Sequence, residues 1–310
     1  MKLNYFTTMP FFLLMLLGCS KNHLTITKTD LDKQDLYGKI KSLEEKTYEI
    51  SHEFGAHRKN KVTFWVKTIY DVKGFKLEEL TFCPDGRYLG KCEYKYENGC
   101  LSEFVVYNSE KKLSYTGKYS YDKSGNNIEV IWYNAQNALE SKTIYQYDSD
   151  NNISERNLYT SDGNLENKNT YVYDNSGNKI EEKNFNNDGT KVIYYETIRY
   201  EYDSDGNVLK ETNYDKDGNE SFRTVCVFNQ KGNNIETIKY KNENLVEKET
   251  RKYSLYNHCI EGNTFDNNNV LKSSFNNIHK YDKVGNWTDR IHENNKIPTA
   301  TVERNIVYFE

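Results

Sequence analysis

Proline is almost missing from this chain of 310 residues, with three copies. That excludes collagen-like and polyproline architectures. It suits central β-strands, where proline cannot donate to the ladder. Basic charge is not in excess: 42 Lys and Arg face 46 Asp and Glu, for a net charge of −4. A nucleic-acid partner is therefore not indicated. No internal stretch offers the ~20 apolar residues of a spanning helix. No window sustains apolar residues at i, i+3, i+4 and i+7, so helical periodicity is lacking too. Six cysteines and six histidines are scattered without zinc-site spacing. Phosphate loops, dinucleotide fingerprints and Gly-x-Ser-x-Gly elbows do not occur.

Aromatics and turn formers are plentiful: 27 Tyr, 14 Phe, 39 Asn and 17 Gly. Ordinary disorder is excluded, because disordered chains are poor in aromatics. The first residues read as an address. Lys2 precedes the apolar run Phe11-Phe12-Leu13-Leu14-Met15-Leu16-Leu17, too short to span a bilayer. Leu16-Leu17-Gly18-Cys19 resembles the lipobox of bacterial lipoproteins. The resemblance implies that residues 1–18 are a removed signal peptide and that Cys19 is lipidated. Residues 19–35 would be a polar tether, and 36–310 a single repeat domain. Each buried CH₂ of an acyl chain contributes ~0.8 kcal/mol, so two or more chains anchor stably. The implied partner is a membrane, at the periplasmic leaflet or the outer-membrane surface of a bacterial envelope.

The body repeats. Asp71, Glu97, Asp122, Asp148, Asp174, Asp203, Asn229, Asn257 and Asp282 each follow an aromatic residue, at intervals of 25–29 residues. The best-preserved units read Tyr-x-Tyr-Asp-x-x-Gly-Asn-x-Ile-Glu, as at Tyr119–Glu129 and Tyr171–Glu181. A second turn lies half a period later, at Asp85-Gly86, Asp162-Gly163, Asp188-Gly189 and Asp217-Gly218, and is Asn-rich elsewhere. Such turns need positive φ, which Gly and Asn supply, and they separate runs of alternating polarity. This predicts an all-β antiparallel repeat meander of about twenty strands with a ~26-residue period, as an open twisted sheet or a partial barrel. Residues 36–70 read as an atypical first unit, with 54–61 a long basic connection, and 306–310 as a closing strand.

Tyr-Asp-x-x-Gly-Asn at this period resembles the YD repeats of bacterial RHS-type proteins over roughly residues 36–309. Asn151 replaces the Gly in one unit, and Asn229 and Asn257 replace the Asp in two. RHS proteins are far longer, enclose their repeats as a shell and end in a toxin domain, for which this chain has no room.

The Tyr pairs 94/96, 119/121, 145/147, 171/173 and 200/202 share one strand face, and their ladder is expected to be the core. The Asp203 and Asp215 turns place Gly at the wrong position for an EF-hand loop, so turns are expected there and calcium is not. Five cysteines follow Cys19, namely Cys83, Cys92, Cys100, Cys226 and Cys259, and their pairing stays open. Cys226 stands in a first-Tyr position and reads as a small core residue. Neither a catalytic residue, a cofactor nor a metal is assigned. The expected function is a non-enzymatic binding or scaffolding role toward a glycan or an envelope protein. Edge strands and the face opposite the Tyr stripe are the expected contact surfaces. An enzyme or toxin-associated factor with an unrecognised site is the alternative.

Overall fold

The computed structural model describes residues 28–53, 56–187 and 191–310. The expected signal peptide, Cys19, His23 and the turn expected at Asp188-Gly189 lie outside the described residues. Among the described residues, a 3-10 turn, Asp32–Gln34, precedes twenty strands. These are β1 Ile40–Glu53, β2 Ala56–Tyr70, β3 Lys76–Phe82, β4 Tyr88–Glu97, β5 Cys100–Tyr107, β6 Leu113–Tyr121, β7 Asn127–Asn134, β8 Leu139–Tyr147, β9 Ile153–Thr160 and β10 Leu165–Tyr173. They continue as β11 Lys179–Asn187, β12 Val192–Tyr202, β13 Val208–Asp215, β14 Glu220–Phe228, β15 Asn234–Lys241, β16 Asn244–Tyr253, β17 Cys259–Asp266, β18 Leu271–Tyr281, β19 Trp287–Asn294 and β20 Ile297–Tyr308.

Each strand pairs antiparallel with its sequence neighbours, as the meander predicts. The difference lies at the ends. β1 also pairs with β20, with Leu43 opposite Ile306 and Thr47 opposite Val302. The sheet curls into a barrel and closes, so it is not the open twisted sheet. Closure satisfies the backbone groups that two free edges would expose. The closing strand also begins earlier than expected, at Ile297. The first unit differs as well. The expected basic connection over 54–61 is largely strand, since β2 starts at Ala56 and pairs Arg58 with Ser51 and Lys59 with Ile50. Alternation carries β1 and β2 past the neighbouring strands. β2 meets β3 only from Trp65 onward, so residues 56–64 keep one unpaired edge.

The repeated turn explains the repeated letters. At Asp122 the backbone N–H donates to the Asn126 carbonyl (2.9 Å), and the Gly125 N–H donates back to Asp122 (3.1 Å). Asp122 Oδ1 accepts the N–H groups of Ser124 (2.8 Å) and Asn126 (2.9 Å). The fourth residue takes a positive φ, +87° at Gly125 and +64° at Asn151, which is why Asn substitutes there. Tyr earns its place before Asp by stitching strands. Tyr121 Oη donates to the Leu101 carbonyl (2.8 Å), Tyr147 Oη to Asn127 (2.7 Å) and Tyr202 Oη to Lys179 (2.7 Å).

The same geometry corrects two units. Tyr253-Ser254 holds the Tyr-Asp place instead of Tyr256-Asn257: the Ser254 N–H donates to His258 O, and Tyr253 Oη donates to Asn234 O. The serine hydroxyl accepts the same two N–H groups that the Asp carboxylate takes elsewhere. Asn257, at φ +61°, is the Gly substitute. The unit at Glu97 closes instead by a two-residue Asn98-Gly99 turn with both φ positive.

The Tyr pairs face inward. Asp30 accepts a hydrogen bond from Tyr96 of β4, and Tyr37 binds Asn286 just ahead of β19. Five inter-strand steps separate those strands, about 24 Å of sheet. Seven residues including a 3-10 turn reach at most about 20 Å. Side-chain tips diverge on a convex face and converge on a concave one, so this segment and the tyrosines it touches line the concave side. Leu31, Leu36, Ile40, Leu43 and Tyr70 form the buried cluster beneath it. The most completely buried apolar cluster is therefore this inner seal. Most of the Tyr ladder is only half-buried, with Tyr145 the exception.

Candidate binding surfaces of the wall

The outer wall carries a second aromatic row. Tyr107, Tyr133, Tyr159, Tyr214 and Tyr240 stand at one level, and each lies beneath a cation of the adjoining strand. The distances to the ring centroids are 5.3 Å from Lys91, 5.5 Å from Lys118, 5.9 Å from Lys142, 5.2 Å from Arg199 and 4.4 Å from Arg223. Contacts at this range are attractive for a cation over a ring face. The Glu that ends the repeat motif joins two of these units: Glu129 pairs with Lys142 (3.7 Å) and Glu181 with Arg199 (3.0 Å). These exposed pairs contribute little stability each. Between Tyr133 and Tyr159 the wall forms a depression of about 640 Å³, lined also by Ile131, Ile144, Lys142 and Glu129. The row follows the repeat period, but no dipeptide marks it, so sequence reading misses it.

The inner wall is more polar than an aromatic ladder suggests. Burial pushes the hydroxyls of Tyr94 and Tyr119 up, and those of Tyr147 and Tyr173 up to about 12. Asn169 bonds Asn184 and receives Arg156 (3.0 Å) at mid-height. Trp132 lies over Gly117, where an added Cβ would come within 3.0 Å of the indole, and it meets Phe104 edge-on at 5.9 Å. It is half-buried, whereas Trp287 is buried at 8% exposure.

Near the N-terminal seal the inner wall gathers histidines that look scattered in sequence. His258 and His279 stack at 5.4 Å, and His258 Nδ1 lies 3.0 Å from Tyr281 Oη. Arg304 lies 3.3 Å over the Trp287 ring and bonds Glu45 (2.9 Å). Arg290 stands directly opposite His279. Burial, then His258 and the two guanidinium groups, hold the His279 imidazole down at about 4. His279 occupies the first-Tyr position of its unit and His258 the Asn position, a signal that substitutions within the repeat could have supplied.

The other sequence candidates are dispersed. Asp203 and Asp215 spend Oδ1 on two backbone N–H groups and Oδ2 on an Asn amide, as the turn reading expects. Cys226 faces Thr237 on the inner wall. Burial pushes the Cys92 thiol up to about 12. Among the described residues, no group of three His, Cys, Asp or Glu side chains is placed to hold a metal ion.

No family model and no curated protein matches the chain. Several solved structures align with the chain at low scores. The Photorhabdus luminescens Tc holotoxin pore aligns at a TM-score of 0.37 and 15% identity, over 80% of this chain and 16% of that one. A porin-like protein from Bacteroides uniformis aligns at 0.34 and 12%, over 87% and 98%. A putative outer membrane lipoprotein-sorting protein domain from Vibrio parahaemolyticus aligns at 0.20 and 6%, over 86% and 85%. The chain thus spans about a sixth of the toxin chain it resembles.

Proposed function

We propose that this chain is an envelope lipoprotein, anchored through Cys19, that binds an extended glycan without catalysing a reaction. The aromatic row of the outer wall carries this reading. Each unit offers a Tyr face with a cation beside it, joined in two units by the motif Glu, and a sugar ring presents an apolar face rimmed by hydroxyls to match. The depression between Tyr133 and Tyr159 gives one such unit depth. Repetition makes the binding multivalent, with weak units adding through effective concentration. Of the contact surfaces expected from sequence, the face opposite the inner Tyr stripe is thus the favoured one. Closure leaves strand addition only short overhanging strand ends, such as residues 56–64 of β2 and 50–53 of β1.

The enzymatic alternative draws less support. Neither inner-wall histidine of the stacked pair bonds a carboxylate, so the base–orienter arrangement of a catalytic site is not assembled there. The test combines the substitutions Tyr133→Ala, Tyr159→Ala and Tyr240→Ala, singly and together, in binding to the polysaccharide fraction of an envelope extract. Single variants should weaken binding a few-fold, and the triple variant should lose it steeply. Unchanged binding in the triple variant rejects the row, and capture of a protein with no polysaccharide binding favours the protein-partner reading. Cys19→Ala should move the protein from the membrane to the soluble fraction, and continued membrane association rejects the anchor.

A further inference from the structure

The inner wall beside the N-terminal seal gathers two guanidinium groups and two imidazoles, and its own carboxylates leave Arg290 without an ion pair among the described residues. Arg290, Arg304, His258 and His279 project there from β17 to β20, or from the turn before them, with Tyr281 and Trp287 between. Glu45 is taken by Arg304, and Asp282 receives the hydroxyl of Tyr308. Asp35 lies close enough to His258 to favour its protonation, yet it is no partner of the arginines. Arg290 makes no ion pair among the described residues, although it lies 5.2 Å over Trp287. Two buried nitrogens here also lack a hydrogen-bond partner: Arg290 Nε and His279 Nδ1. They belong to residues directly opposite each other on neighbouring strands. A buried donor left unmade is costly, and buried polar groups in folded proteins are nearly always satisfied.

We propose that this patch is a binding site for an oxyanion group, the phosphate or carboxylate of a small ligand taken into the barrel. One anion oxygen accepts from Arg290 Nε, whose guanidinium already lies over the indole. A second oxygen accepts from His279 in the tautomer that carries its proton on Nδ1. Charge-assisted bonds of this kind are the strong ones. Trp287 and Tyr281 supply flat apolar surface for the rest of the ligand. This site is independent of the outer row, on the opposite face of the wall.

The experiment uses the full chain purified in detergent, titrated with inorganic phosphate and separately with acetate by calorimetry at low ionic strength. Wild type should bind one of the two at a single site. Arg290→Gln should weaken that binding by about tenfold or more, while Arg87→Gln, in the turn between β3 and β4, should leave it unchanged. Preference for phosphate or for acetate tells the two ligand groups apart. Should Arg290→Gln fail to fold, histidine ring resonances of the wild-type protein serve instead. Those of His279 should move on adding the anion, and those of His292, which bonds Asn277 (2.9 Å), should not. Silence with both anions, or equal affinity in folded Arg290→Gln, overturns the site.

Discussion

At the scale of single residues, His279 shows how one substitution within a repeat creates a sensitive point. Its unit would normally place Tyr at this position, and a buried phenol stays neutral. An imidazole does not. Held at about 4 in the folded protein, against an ordinary value of 6.5, His279 binds its proton more readily when unfolded. Stability from this group is thus present above about pH 6.5 and is lost as the pH falls toward 4. His258 is displaced in the same direction by burial. Thermal melts between pH 7 and pH 4 should show a decline in melting temperature that is shallower in His279→Phe, which restores the aromatic ring of the repeat. Equal declines in the two proteins would mean that His279 titrates normally. Sequence alone made these residues look scattered because the repeat hides them: His258 and His279 stand 21 positions apart and meet only when β17 and β18 pair.

At the scale of the element, the Tyr-Asp hairpin was legible almost whole. Gly and Asn after Asp marked the turns, and alternating aromatics marked the strands between them. Two details were not legible. Ser254 can replace Asp because its hydroxyl accepts the same N–H groups, so a search for acidic residues shifts that unit by three places. The outer tyrosines also escaped, because they sit in ordinary alternation with no turn to flag them. The turn account makes a clean prediction at Gly177, where φ is +82° and an added Cβ would meet nothing closer than 3.8 Å. Gly177→Ala should then destabilise by about 1 kcal/mol, a purely conformational cost, and Gly177→Asn by less, as Asn151 does the same task one unit earlier. Denaturant melts of the two variants check this. An alanine variant as stable as wild type would remove the left-handed turn from the account.

At the scale of the whole molecule, closure is what local reading could not reach. The meander follows from neighbours about 13 residues apart, whereas the seam joins Leu43 to Ile306 across nearly the entire chain. Nothing in a local window distinguishes a last strand that pairs from one that ends an open sheet. The inward aromatic face, the N-terminal segment lying across it and the continuous outer row all depend on that seam. Engineered cysteine pairs test it most directly. Glu44 stands opposite Lys67 across β1 and β2, and opposite Asn305 across β1 and β20. Directly opposed strand residues bring Cβ atoms within about 4.5–5.5 Å, near the reach of a disulfide. Under mild oxidation, with the bonds mapped by mass spectrometry, Glu44→Cys with Lys67→Cys and Glu44→Cys with Asn305→Cys should both cross-link within one chain. A closed barrel predicts both bonds; formation of the first without the second would show an open sheet and contradict it.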